Sequence, residues 1–103
     1  MEKPLRALFL ERAKKYMDGI PATDKGTVLK DIECLVVNET DSIYIKQLRG
    51  SIRELIVGHH RITYFKLKNA LYFVSGFRKK SAKTPKQEIE YAQKTLNYLK
   101  SQR

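Results

Sequence analysis

Cysteine is almost absent from this 103-residue chain, where Cys34 stands alone. No disulfide framework can form within the chain, and a tetrahedral zinc site built on several thiolates is excluded. Long apolar runs are missing as well. The longest falls far short of the ~20 residues that span a bilayer, so no membrane role is expected. The opening stretch MEKPLRALFLERAKK interrupts its apolar patch with charges and has no small-residue cleavage site. It does not read as a signal peptide. No HExxH, GxSxG, Walker A or GxGxxG pattern occurs. Internal repeats and low-complexity linkers are also lacking. Acidic residues are few beside basic ones, 11 against 21, which leaves a formal net charge of +10 and a pI near 9.8. What is present is 42% hydrophobic residues, enough to bury a core and to argue against disorder. Residues 1–103 are expected to form one small, soluble, cytoplasmic domain that meets something negative.

The charge is uneven along the chain. Residues 1–41 hold seven basic and eight acidic residues. Residues 42–75 hold Lys46, Arg49, Arg53, Arg61, Lys66 and Lys68 against Glu54 alone. Residues 76–103 hold eight basic residues against Glu88 and Glu90. A balanced first part is followed by an electropositive remainder, the pattern of a polyanion binder. The plainer alternative is a solvated face rich in lysine.

Periodicity gives a coarse architecture. Residues 4–10 suit a first strand or a helix start, and spacing does not choose between them. Phe9, Ala13, Tyr16 and Ile20 recur at helical spacing, which predicts a helix ending near Gly19. Pro21 breaks it. Thr23 or Asp24 is expected to cap a second helix, with Val28, Ile32, Leu35 and Val36 inward and an end near Asn38. Strands are predicted over 52–57, 61–67 and 71–77, rich in β-branched and aromatic residues. Gly58 supports the first turn, and Asn69 is the residue expected to take a left-handed conformation in the second. Residues 78–84 form a basic loop. Thr84, Pro85 and Gln87 read as a helix start with a capping box, followed by the stripe Ile89, Ala92, Leu96 and Leu99. The predicted class is α+β: a helical hairpin and a C-terminal helix on one face of a small twisted antiparallel sheet.

Catalytic pairs are formally few. Cys34 with His59 or His60 would make a nucleophile and base, but Cys34 falls near the inward stripe of its helix, where a free cysteine is a small hydrophobe. Adjacent histidines point apart, and no third ligand is evident, so neither a metal nor a cofactor is expected. The cations say more. Alternation puts Ile52, Glu54 and Ile56 on one face of their strand, and Arg53, Leu55 and Val57 on the other. Arg61, Thr63, Phe65 and Leu67 share a face of the next. Antiparallel pairing then brings Arg61 and Arg78-Lys79-Lys80 to the same end of the sheet, with Arg53, Arg49 and Lys46 as candidates to join them. Such a cluster suits phosphate, since arginine offers a planar fork and lysine a mobile charge. The plainer role for Arg61 is an ion pair with Glu54. Tyr64, Tyr72 or Tyr91 would serve as stacking faces for single-stranded bases, against core packing as the alternative. RNA cleavage by attack of a 2′-OH needs a base, an acid and stabilisation of pentavalent charge. These residues permit that chemistry, with His59 and His60 near Arg61 as proton carriers.

The stretch LRGSIRELIVGHHRITYF, followed by LYFVSGFRKKSAKTPKQEIEYAQ, resembles the HigB-like branch of the RelE superfamily. These are toxins of bacterial and phage type II toxin–antitoxin systems. The second motif is the more specific: Phe77, Lys79-Lys80, Lys83-Thr84-Pro85, Glu88-Ile89, then Ala92. The resemblance covers roughly residues 48–99. It implies a RelE-type fold, metal-independent cleavage of mRNA in the ribosomal A site, and arrest of translation. It also implies a cognate antitoxin, often with a helix-turn-helix domain, through which the pair meets operator DNA. Arg61 matches the arginine that opens the central strand of such proteins, and would bind or stabilise the scissile phosphate. Lys79 and Lys80 match the Lys-Lys that would hold mRNA or ribosomal RNA. Arg53, His59 and Tyr64 are weaker catalytic candidates; Lys46, Arg49, Arg78 and Lys83 are candidates for RNA binding. The sequence departs from the family at the Glu-Leu-Arg pattern, which here reads Glu54-Leu55-Ile56. A catalytic cation is then missing or supplied by Arg53 or Arg49. The departure keeps two other readings open: a non-cleaving RNA- or ribosome-binding module, and a degenerate toxin acting in an antitoxin–operator complex.

Overall fold

A computed structural model describes residues 3–102. Its elements run β1 (Arg6–Phe9), α1 (Glu11–Gly19), α2 (Ala22–Val36), β2 (Tyr44–Arg49), β3 (Ile52–Val57), β4 (His60–Leu67), β5 (Ala70–Arg78) and α3 (Lys86–Ser101). The five strands form one sheet in the order β1-β5-β4-β3-β2. Strands β2 to β5 are an antiparallel meander. The three predicted strands lie where expected, to within a residue at each end.

Two strands go beyond that expectation. Residues 4–10 supply β1, which pairs parallel to β5, so the sheet is mixed rather than antiparallel throughout. β2 had no strand signal because it is an edge strand, with only Ile45 and Leu48 half-buried. A register shift between Gln47 and Arg49 also breaks its alternation.

The helices cover both faces, not one. Ala13 and Met17 of α1 and Val28, Ile32 and Leu35 of α2 pack on Leu55, Ile62, Tyr64, Leu71 and Phe73. Ala92 and Leu96 of α3 pack on Ile52, Phe65 and Val74, from the opposite side. The reason is in the central strands. Residues 62–65 of β4 are all buried, so both of its faces need an apolar cover.

Local details also differ from expectation. Helix α2 begins at Ala22 with Pro21 as N-cap, so Thr23 and Asp24 lie inside its first turn and neither caps it. Pro85 is likewise the N-cap of α3, with no side-chain cap bond. Lys68, not Asn69, takes the left-handed conformation in the β4–β5 turn (φ 57°), while Gly58 does so in the β3–β4 turn (φ 59°). Cys34 is a half-buried side chain of α2 packed against the apolar layer.

Candidate nucleic-acid interface

A cleft of about 210 Å³ opens where β4 begins and β5 ends, and the loop of residues 79–85 forms its rim. Arg61, Arg78, Lys79, Lys80 and Lys83 line it, with Glu54, Thr84 and Glu88. Two segments deliver these cations, the start of β4 and the run from the end of β5 into the loop. The register pairs Arg61 with Phe77 and His60 with Arg78, which brings the start of β4 beside the end of β5. A backbone bond from Lys79 N–H to the His59 carbonyl, 2.8 Å, fixes the loop to the β3–β4 turn.

Arg61 is held firmly. Its Nη1 donates to the carbonyls of Gly58 (2.7 Å) and His60 (3.0 Å), and its side chain is only 12% exposed. The ion pair with Glu54 is present at 3.8 Å from Nε. Among the described residues the hydrogen bonds of this guanidinium run through Nη1, and Arg61 lines the cleft. The guanidinium is thus oriented by the backbone while part of its fork stays available to an anion.

Two acids anchor the rim. Thr84 Oγ1 donates to Glu54 Oε2 at 2.7 Å, so the hydroxyl read as a helix cap instead pins the loop to β3. Ser75 Oγ donates to Glu88 Oε1 at 2.8 Å and pairs with Thr63 Oγ1 at 2.8 Å, which ties the first turn of α3 to β4 and β5. Glu54 is 2% exposed, and no buried side-chain polar atom among the described residues lacks a partner. A buried carboxylate held in this way organises neighbours at little cost.

The remaining candidates are elsewhere. Arg53 and Tyr64 are register partners on the opposite sheet face. Tyr64 is 3% exposed and tilted against Phe73. Burial raises its phenol above the ordinary value, and the nearby Arg53 guanidinium opposes that shift. Tyr72 is stacked on Phe65, and the Arg12 guanidinium lies 3.6 Å from the centre of the Tyr91 ring. Tyr64 is thus buried, and half-buried Tyr72 and Tyr91 each have one ring face occupied. Arg49 is exposed at the far end of β2. Lys46 pairs in register with Glu54 and is exposed beside the cleft without lining it. His59 is exposed on the turn.

His60 is not on the turn but is the first, buried residue of β4. Its Nδ1 pairs with Tyr16 OH and its Nε2 with Asp24 Oδ2 at 2.9 Å. Strand alternation contained the signal, since His60 shares a face with Ile62 and Tyr64. Sequence reasoning also missed Thr84, Glu88, Phe77 and Gln87 as cleft residues. Thr84 and Gln87 were absorbed by the capping pattern. Among the described residues, no three of His, Cys, Asp or Glu come together as a metal cluster, and no helix is long and apolar enough to cross a membrane.

Comparison with known proteins places this geometry. A chain of the RelE–RelB complex from Pyrococcus horikoshii OT3 superposes with a TM-score of 0.67 at 13% identity. The match covers 77% of this chain and 99% of that one. A chain of the RelB–RelE antitoxin–toxin complex from Methanococcus jannaschii gives a TM-score of 0.59 at 20% identity, covering 69% and 88%. These likenesses establish a RelE-like fold. No curated protein sequence gives a significant match. The family model described as "Phage derived protein Gp49-like (DUF891)" matches residues 15–97. The chain therefore belongs to the Gp49-like family.

Proposed function

We propose that this protein is a HigB-like toxin of a type II toxin–antitoxin pair, a single domain acting in the cytoplasm as a ribosome-dependent mRNA endonuclease. The observation that carries the reading is the convergence of Arg61, Arg78, Lys79, Lys80 and Lys83 on one cleft of a RelE-like fold. In this reading mRNA in the ribosomal A site enters the cleft. The 2′-OH attacks the adjacent phosphorus, the bond to the 5′ oxygen breaks, and a 2′,3′-cyclic phosphate forms. Arg61 and Lys79 or Lys80 stabilise the pentavalent charge. Arg78 and Lys83 hold the backbone, and His59 at the turn is the proton-carrier candidate. No metal or cofactor is assigned a role. A cognate antitoxin, with a helix-turn-helix domain that reads operator DNA, silences the toxin.

Expression in a bacterial host without antitoxin tests this. Wild type should arrest growth and leave new mRNA ends at stalled ribosomes. Arg61→Ala and Lys80→Ala should relieve the arrest while keeping the native circular dichroism spectrum. A harmless wild type with no new ends rejects the nuclease reading.

One observation favours a second reading. Ile56 stands where the family pattern has arginine, and Arg61 already serves two carbonyls and Glu54. A module that binds the ribosome or its mRNA without cutting would keep the cations and lack turnover. Ribosomes trapped on intact mRNA would select it.

A further inference from the structure

One buried titratable side chain has no part in the chemistry proposed above. His60 opens β4, and its side chain is only 6% exposed. The helical hairpin engages both of its ring nitrogens. Nδ1 pairs with Tyr16 OH from α1, and Nε2 with Asp24 Oδ2 from α2 at 2.9 Å. An ionised carboxylate only accepts, so Nε2 donates to Asp24. Burial raises the Tyr16 phenol above its ordinary value, with Arg78 opposing that shift and Asp24 supporting it. The hydroxyl therefore keeps its proton, and the network is fully satisfied.

The backbone of the same residue serves the cleft. Arg61 Nη1 donates to the carbonyls of Gly58 and His60, and the Lys79 N–H donates to the His59 carbonyl between them. Three consecutive carbonyls thus hold the guanidinium and the start of the basic loop. Gly58 has no side chain to pack, and His59 is exposed. Of the three residues only His60 buries a side chain. Its ring is the anchor through which those carbonyls are placed. A satisfied buried network of this kind rigidifies what it holds, and the precision of a site depends on such support.

We propose that Asp24, in the first turn of α2, is a positioning residue for Arg61: by holding the His60 ring it fixes the carbonyls that orient the guanidinium and anchor the basic loop. The hairpin thereby sets the geometry of a cleft to which it contributes no lining residue. That the bound anion is RNA rests on the function proposed above; the positioning of Arg61 does not.

The test uses the full chain and reads Arg61 directly, by nitrogen-edited NMR of its side-chain Nε–H. Asp24→Ala should shift and broaden that resonance and speed amide exchange at Lys79. It should also weaken a short single-stranded RNA oligonucleotide about fivefold. Asp24→Asn loses the charge that favours a helix N-terminus but keeps an acceptor for Nε2, so its affinity should stay within about twofold of wild type. Val28→Ala opens a cavity under the same helix without touching the His60 network. It should lower the melting temperature at least as far as Asp24→Ala, yet leave the Arg61 resonance and the affinity unchanged. Wild-type Arg61 and Lys79 signals in Asp24→Ala, an Asp24→Asn form no better than Asp24→Ala, or equal losses in Val28→Ala would each overturn the proposal. An oligonucleotide that no form binds rejects the RNA reading of the cleft, and the Arg61 resonance then decides the positioning by itself.

Discussion

Asp24, His60 and Tyr16 come from α2, β4 and α1, and their hydrogen bonds tie the helical hairpin to the sheet. The Tyr16 ring lies directly over Gly76. A Cβ at that position would stand 2.7 Å from Tyr16 Cγ and 3.0 Å from Ile62 Cδ1. Gly76→Ala should therefore push Tyr16 off His60 and destabilise by about 1–3 kcal/mol. Tyr16→Ala should make the same substitution nearly neutral, because the obstructing ring is gone. Thermal unfolding of the two single mutants and the double mutant measures that coupling. Tyr64 gives a second expectation at this scale. Burial raises its phenol above the ordinary 10.0, with Arg53 opposing. The unfolded chain releases this proton near pH 10.0, while the folded protein keeps it to higher pH. The folded state then binds more protons, so stability is full below that point and is lost as pH rises through the folded value. Tyr64→Phe should flatten part of this alkaline loss in urea titrations run across that window.

At the scale of elements, α3 and the loop before it are held by different means. Leu96, 2% exposed, packs on the sheet, whereas Thr84 binds Glu54 through one hydrogen bond. Leu96→Ala should cost about 2–5 kcal/mol through a cavity under the helix. Thr84→Val should cost only about 1–2 kcal/mol, yet loosen residues 79–85 and weaken RNA binding. Hydrogen exchange separates them: the first speeds exchange along α3, the second in the loop. The chain read as sequence contains α3, its inward stripe and the basic loop. It does not contain the Thr84–Glu54 bond, because Thr84 followed by Pro85 also satisfies a capping pattern. Local pattern cannot rank a cap against a partner thirty residues away. β2 was illegible for a similar reason. An edge strand with one wet face and a register shift lacks the alternation that marks a strand.

For the whole molecule, the excess charge divides between two surfaces on opposite faces of the sheet. Five cations line the cleft, so the salt slope of binding to single-stranded RNA should approach about −3.5 in log–log form, at about 0.7 per phosphate contact. Lys80→Ala should reduce that slope by about 0.7. Lys68→Glu should leave it unchanged, since Lys68 borders a separate groove beside α2. Fluorescence anisotropy across a salt series measures both.

Composition and periodicity by themselves determined the electropositive second part, the three central strands, the helical stripes and the meeting of Arg61 with Arg78-Lys79-Lys80. These follow from local repeat and from the shortest antiparallel pairing, both of which are written in neighbouring residues. Only the tertiary structure decided that α3 covers the opposite face from the hairpin. It alone decided that His60 meets Tyr16 and Asp24, that β1 joins parallel to β5, and that a groove remains open beside α2. Each of these depends on which apolar face meets which, a choice made by burial between residues far apart in the chain.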